Sequence, residues 1–228
     1  MENKIVVITG ASRGLGKAMA EAFAAKKAKV IISARDKEEL EKLGKEIDAT
    51  AIVGDVTKEA DMQNLVSNTL VKFGKIDIFI NNAGIWQPRA SVEEVDMEQA
   101  HRLIEVNLFG TAYATRAVLP CFRKQGQGVL VNIVSTSALS GRPNSSMYAA
   151  SKWAARGFTD SIKEELKGTG IQVVGIYPGG IKTHLFDEKA PPEFDDFMAP
   201  EYAAEKIIEH IEGPAPEIDF VLKRPGQK

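Results

Sequence analysis

The chain has one cysteine, Cys121, in 228 residues. That excludes an intrachain disulfide and leaves no companion thiol for a zinc or iron–sulfur site, so core packing is the expected use of this side chain and no metal is expected. Excess charge of either sign is also missing: 29 Lys and Arg stand against 31 Asp and Glu, a formal net charge of −2. No basic tract supplies the field that nucleic acid or an anionic membrane surface requires, and neither is an expected partner. No run of about 18 apolar residues is present to span a bilayer and no secretory-type apolar segment is seen, so a cytoplasmic protein is expected. What is present, 44% apolar and 26% charged residues, fits one folded domain over residues 1–228 with an ample core.

Short apolar, β-branched runs recur at Ile5–Thr9, Val30–Ala34, Ala51–Gly54, Ile76–Asn81, Val129–Ser135, Val173–Tyr177 and Ile218–Leu222, with helical or loop patterns between most of them. This alternation predicts a parallel sheet, and the lack of strict polar alternation within the runs predicts burial on both faces. The expected fold is α/β: a single-domain, doubly wound, Rossmann-like parallel sheet of about seven strands in three layers, with ligands at the carboxyl ends of the strands. Aromatics are few, at 7%, yet Phe186, Phe194 and Phe197 fall close together among paired prolines and acids. That composition reads as an irregular insertion, expected to act as a substrate lid over about 184–200.

The first run ends in Gly10-Ala11-Ser12-Arg13-Gly14-Leu15-Gly16, after which Leu15, Met19, Ala22 and Phe23 recur at helical spacing. A glycine loop at a strand-to-helix turn aims amides and the positive helix end at a phosphate, which marks a dinucleotide site. Its Gly-x3-Gly-x-Gly spacing differs from the Gly-x-Gly-x-x-Gly fingerprint. Further on, Tyr148 and Lys152 are four residues apart, which puts a phenol beside an ammonium on one helix face. Moving a tyrosine pKa from about 10 to roughly 7 requires about 4 kcal/mol of preference for phenolate. An ammonium at about 5 Å and an effective dielectric near 20 supplies roughly 3 kcal/mol, leaving the rest to a second cation such as an oxidised nicotinamide ring. Taken alone, the pair favours the reading as an amphipathic helix with a half-buried Tyr and a surface Lys.

Thr9-Gly10-x3-Gly14-x-Gly16, Asn81-Asn82-Ala83-Gly84, Asn107, Ser135, Tyr148-x3-Lys152 and Pro178-Gly179-x3-Thr183 occur in this order. Together they resemble the short-chain dehydrogenase/reductase family over nearly the whole chain. The resemblance implies catalytic roles for Asn107, Ser135, Tyr148 and Lys152. It implies cofactor contacts from Gly10, Ser12, Arg13, Gly14, Leu15 and Gly16, from Asp55 and Val56 beside the adenine, and from Asn82, Ala83 and Gly84. It further implies that Tyr148 and Lys152 reach the nicotinamide ribose and that Pro178, Gly179, Ile181 and Thr183 hold the carboxamide. From residue type alone, Asp55 is open to a turn or cap role, Asn81 and Asn82 to ending a strand, and Asn107 to satisfying a helix-kink carbonyl. One departure is Lys27, where relatives usually carry a glycine that closes the first helix in a left-handed conformation.

At the end of the second strand, where an acid would accept from the 2′-hydroxyl of NAD, stand Ala34 and then Arg35, with Arg13 in the glycine loop. Two guanidinium groups favour a 2′-phosphate, so NADP(H) is the expected cofactor and NAD(H) a possible one, with Asp36 expected to cap the following helix. The substrate pocket is expected from Trp86, Gln87, Leu139, Met147 and Phe186, with Phe194, Phe197 and Met198 in the lid, and apolar or aromatic carbonyl compounds or alcohols fit such walls. The expected activity is hydride transfer between NADP(H) and a carbonyl. The alternatives are a 3-oxoacyl-acyl-carrier-protein reductase, opposed by the acidic lid, and a non-catalytic NADP(H) sensor, opposed by the intact Ser135, Tyr148 and Lys152. By resemblance a homodimer or homotetramer is expected, with Ala114, Ala117, Val118, Trp153, Phe158 and Ile162 either at the interface or facing the sheet.

Overall fold

The computed structural model describes residues 1–213 and 219–224. These residues form a sheet of seven strands: β1 (Ile5–Thr9), β2 (Lys29–Ala34), β3 (Thr50–Val53), β4 (Ile78–Asn81), β5 (Gly128–Ile133), β6 (Ile171–Pro178) and β7 (Phe220–Leu222). Their spatial order is β3-β2-β1-β4-β5-β6-β7, and every pairing is parallel. The helices are α1 (Gly14–Ala25), α2 (Lys37–Glu46), α3 (Glu59–Phe73), α4 (Met97–Ile104), α5 (Thr111–Gln125), α6 (Ser146–Glu165) and α7 (Pro200–Ile211).

The even apolar runs are explained by burial on both sides. In β1, Val6 and Ile8 join Met19 and Phe23 of α1 and Ile207 and Ile208 of α7 in one core. Ile5 and Val7 point the other way, into a core with Met62 and Leu65 of α3 and Val118 and Phe122 of α5. Successive side chains alternate faces, so a strand covered on both sides must be apolar at every position. Ala114 and Val118 therefore face the sheet and are withdrawn from the candidate association surface, whereas Trp153 is 45% exposed.

Strand ends differ from the sequence expectation for local reasons. The strand β5 stops at Ile133 because the Ser135 hydroxyl accepts from the Ser137 amide at 3.0 Å and begins a 3-10 turn, Thr136–Ala138. Ile76 lies outside β4 because its amide donates to the Gln125 side chain at 3.0 Å. Ile218, the expected start of the last strand, lies outside the described residues. Between α4 and α5 the chain passes through a π-helical turn, Glu105–Gly110, which widens the helix where Asn107 sits.

Helix α1 closes as the family comparison of Lys27 anticipates: Lys27 has φ 61° and the Ala28 amide reaches back to the Phe23 carbonyl at 3.1 Å. A non-glycine residue held left-handed costs about 1–2 kcal/mol, part of which glycine would forfeit through its greater freedom in the unfolded chain. Lys27→Gly is expected to raise unfolding free energy by about 0.5–1 kcal/mol in a urea titration; a loss of stability would show that the position is not strained.

Candidate active site

The site begins where β1 and β4 end. The Thr9 hydroxyl donates to the Ile80 carbonyl at 3.3 Å and accepts from the Asn82 and Ala83 amides at 3.1 and 3.3 Å. In return the Asn82 side-chain amide donates to the Thr9 and Gly10 carbonyls at 2.9 and 3.0 Å. Asn82 thus ties two loops together as well as ending a strand. Packing here is tight enough to require glycine: at Gly10, with φ 64°, a Cβ would lie 2.7 Å from the Ala83 Cα, and at Gly16 it would meet the Gly10 carbonyl.

Beyond this junction lies a cleft of about 1410 Å³. Its lining includes Gly10, Ser12, Arg13, Gly14, Leu15, Gly16, Ala34, Arg35, Asp55 and Val56 toward one end, then Asn82, Ala83, Gly84, Pro178, Gly179, Ile181 and Thr183, and also Ser135, Tyr148 and Lys152. Every residue of the expected cofactor set is on this wall. The Asp55 carboxylate also makes a local turn, accepting from the Thr57 amide at 3.0 Å and hydroxyl at 2.9 Å. Burial pushes its pKa up, but those bonds and the charges of Arg35 and Lys58 outweigh it and hold the carboxyl below its ordinary value. Asp36 caps α2 by accepting from the Glu39 amide at 3.1 Å, and both acids stand on the cleft wall.

Ser135, Tyr148 and Lys152 are all buried, at 8%, 9% and 6% exposure. The Lys152 ammonium reaches the Ile133 carbonyl at 3.4 Å, and a Cβ on Gly84 would lie 3.5 Å from it. Asn107 sits behind that glycine. Its side-chain oxygen accepts from the Ile85 amide at 2.9 Å, and its nitrogen donates to the Ile85 carbonyl and the Ser151 hydroxyl, each at 3.0 Å. Ser151 in turn donates to the Tyr148 carbonyl at 2.7 Å. The helix-kink alternative is therefore corrected: the Asn107 side chain bridges the β4 loop to α6, while its own carbonyl accepts from the Thr111 hydroxyl at 3.1 Å.

The electrostatics also correct the simple two-charge picture. Burial pushes the Tyr148 phenol above its ordinary value, and the opposing influences are the Ser135 hydroxyl and the Arg142 charge rather than Lys152. Burial lowers Lys152 to about 8. Both groups lie in a desolvated wall where each ionised form is penalised, an effect that helical spacing alone does not reveal.

At the other end, Trp86 meets Phe186 at 5.1 Å between ring centroids, and Phe186 meets Phe197 at 5.3 Å; all three line the cleft. Three expected pocket residues are not part of the lining. Gln87 is turned into the protein at 8% exposure, Leu139 is carried outward by the 3-10 turn before it, at 37% exposure, and Met147 lies off the wall in the first turn of α6. Met198 is a core residue, 3% exposed, bridged to Ile181. Sequence reasoning missed Arg89, Arg142 and Glu193, which do line the cleft. Arg142 sits in the Gly141-Arg142-Pro143 turn, where a solvated arginine is the ordinary reading, and the Arg89–Glu193 pair spans 104 positions.

With this geometry in hand, comparison with known proteins is informative. The family model described as short chain dehydrogenase matches residues 4–193. An uncharacterized oxidoreductase of Staphylococcus saprophyticus is 38% identical over 192 residues, covering 81% of each chain. Among solved structures, the 3-ketoacyl-(acyl-carrier-protein) reductase from Brucella melitensis complexed with NADH aligns with a TM-score of 0.89 and 34% identity over 96% of both chains. The alcohol dehydrogenase from Thermococcus sibiricus complexed with 5-hydroxy-NADP aligns with a TM-score of 0.87 and 28% identity, over 100% of this chain and 99% of that one.

The depressed Lys152 pKa has a sign that can be tested. Below about 8 the ammonium is charged in both folded and unfolded states and its burial destabilises the fold; between about 8 and 10.5 only the unfolded chain holds the proton, so wild-type stability rises with pH. Lys152→Met is expected to be more stable than wild type by on the order of 3 kcal/mol at neutral pH, with the gap narrowing above pH 8. Denaturant midpoints measured from pH 6 to about 10.5 check this; a gap that does not change with pH would remove the buried charge as its cause.

Proposed function

The chain belongs to the short-chain dehydrogenase family, oxidoreductases that use a nicotinamide cofactor, and on that premise we propose that it is an NADP(H)-dependent carbonyl reductase. It moves a hydride between the nicotinamide and the carbonyl or secondary alcohol of a small apolar or aromatic substrate. The observation that carries this reading is the convergence of buried Ser135, Tyr148 and Lys152 on one cleft with the glycine loop. The residues present suit the dinucleotide: Gly10 and Gly16 allow a close-packed glycine turn at the start of α1, and the cleft exceeds the roughly 300–1,000 Å³ of ordinary small-ligand pockets, leaving room for cofactor and substrate together.

When bound, the reduced nicotinamide supplies the hydride. The Ser135 hydroxyl donates to the substrate carbonyl oxygen and fixes it beside Tyr148. The Tyr148 phenol delivers its proton to that oxygen as negative charge builds there, and the Lys152 ammonium stabilises the phenolate left behind. A lysine already lowered to about 8 by burial regains favourable interaction when an anion forms next to it, so its stabilisation grows as the proton leaves. Asn107 acts as a positioning residue through Ile85 and Ser151.

Preference for NADP(H) rests on Arg13 and Arg35 at the wall beside Ala34, with Asp36 engaged as a helix cap. In this reading residues 1–228 form one domain, 184–200 is the lid, and the protein acts in the cytoplasm as a homodimer or homotetramer. Exposed Trp153 and Phe109 on the α5–α6 side support association, and among the described residues no helix is long and apolar enough to cross a membrane. The acyl-carrier-protein reductase reading draws support from the Brucella melitensis neighbour, but exposed Glu188 and Asp195 on the lid oppose the approach of an acidic carrier. A sensor has no use for a buried proton donor.

Tyr148→Phe is expected to keep NADPH binding while turnover of an aromatic aldehyde or ketone falls by roughly 10²-fold or more; undiminished turnover would remove Tyr148 from the mechanism. Arg35→Ala is expected to weaken NADPH by about 10- to 100-fold with little change for NADH. Fluorescence titration with both cofactors measures this, and an equal loss for the two would remove Arg35 from 2′-phosphate recognition.

A further inference from the structure

Five carboxylates lie between Asp187 and Asp196, yet only Glu193 among them lines the cleft. Asp196 pairs with Arg224 at 3.2 Å and Asp187 with His184 at 3.0 Å, while Glu188 and Asp195 are exposed. The inner wall has the opposite sign. Arg89 and Arg142 both face the cleft there, and Arg89 holds Glu193 through both carboxylate oxygens, one of the two contacts at 3.3 Å. Arg142 donates to the Thr136 hydroxyl at 3.3 Å, one residue from Ser135, and among the described residues it has no carboxylate within ion-pair distance. Its charge acts on both Tyr148 and Glu193, pulling each downward in pKa.

Resting on the reductase reading above, we propose that the substrate of this site carries a carboxylate: an oxo acid in the reductive direction, a hydroxy acid in the oxidative one. Its carbonyl meets Ser135 and Tyr148, its carboxylate meets Arg142, and its apolar body lies against Trp86 and Phe186. The carbonyl carbon gains the hydride of the reduced nicotinamide and the oxygen gains the Tyr148 proton, so the ketone becomes a secondary alcohol and NADPH becomes NADP⁺. A guanidinium presents a planar fork matched to a carboxylate, and the two-pronged Arg89–Glu193 contact shows such a group seated in this wall. Arg142 is exposed at the cleft surface, so a neutral substrate leaves its charge to solvent, whereas a carboxylate pairs with it through charge-assisted hydrogen bonds. The lid carboxylate satisfies Arg89 and leaves Arg142 for the substrate.

The test is NADPH-dependent reduction of phenyl-bearing α- and γ-oxo acids and their methyl esters by the wild type, Arg142→Ala, Arg142→Lys and Glu193→Gln. Calorimetric binding of phenylacetate and phenylacetamide to the wild type and Arg142→Ala accompanies it. Acids are expected to exceed their esters in kcat/KM by roughly tenfold or more, with the advantage shrinking as salt is added. Arg142→Ala is expected to remove most of that ratio through KM, Arg142→Lys to restore part of it, and Glu193→Gln to lower KM for the acids by freeing Arg89. Phenylacetate binding should weaken in Arg142→Ala while phenylacetamide changes little. Esters reduced as well as acids, with a ratio indifferent to Arg142, would overturn the carboxylate inference and leave the reductase reading standing. No turnover of any compound with Arg142-dependent phenylacetate binding would remove the reductase reading and keep the carboxylate site, and failure of both turnover and selective binding would overturn both.

Discussion

The hydrogen bonds between Thr9 and the Asn82 loop hold together the carboxyl ends of β1 and β4, and the cleft depends on that clamp. These are the strands from which the sheet proceeds in opposite directions, toward β3 on one side and β7 on the other. The connections leaving them pass to opposite faces, which opens a crevice at the carboxyl edge. Without a fixed distance between the two strand ends, the glycine loop and the Asn82–Gly84 loop would have no common geometry. The absence of a Cβ at Gly10 and Gly16 lets the two backbones approach closely enough for the clamp to form.

The chemistry is built on groups that burial makes uncomfortable. Tyr148 is pushed toward its neutral form and Lys152 toward losing its proton, which is the reverse of the ion pair suggested by their spacing alone. Their positions are held from behind: the π-helical turn after α4 places Asn107 so that its amide joins Ile85 to Ser151, and Ser151 reaches the Tyr148 carbonyl. The strain of an unhappily solvated pair is thus carried by a neutral hydrogen-bonded chain. In the proposed mechanism, the pair is used through charge that appears only during proton transfer, when each partner relieves the other.

Charge on the lid is sorted by side rather than by segment. Summed along the chain, residues 187–196 look acidic; in the fold the only lid carboxylate on the cleft wall is already taken by Arg89, while Arg142, exposed beside the Ser135 turn, lines the cleft. In the proposed reading, the outer carboxylates oppose acidic macromolecular partners and the arginines on the cleft wall favour a small anion.

Local pattern carried the architecture a long way. Seven apolar runs, the glycine loop and the Tyr148–Lys152 spacing are short-range features, legible because a strand buried on both faces and a helix with one reactive face each impose their own periodicity on the chain, whereas Ser135 was marked by the family resemblance. The capping by Asp36 was legible from residue type at a helix start, and the left-handed Lys27 from the family resemblance. Gln87, Leu139, Met147, Phe194 and Met198 do not line the cleft, because position in sequence does not fix the direction of a side chain, and one 3-10 turn carries Leu139 out to solvent. Arg89 meeting Glu193 and the desolvation that reverses the expected pKa of Tyr148 both depend on segments distant in sequence meeting at one wall. Periodicity is a property of neighbouring residues and survives in the bare chain, whereas burial and charge pairing belong to volume enclosed by the whole fold and come into existence only when it closes.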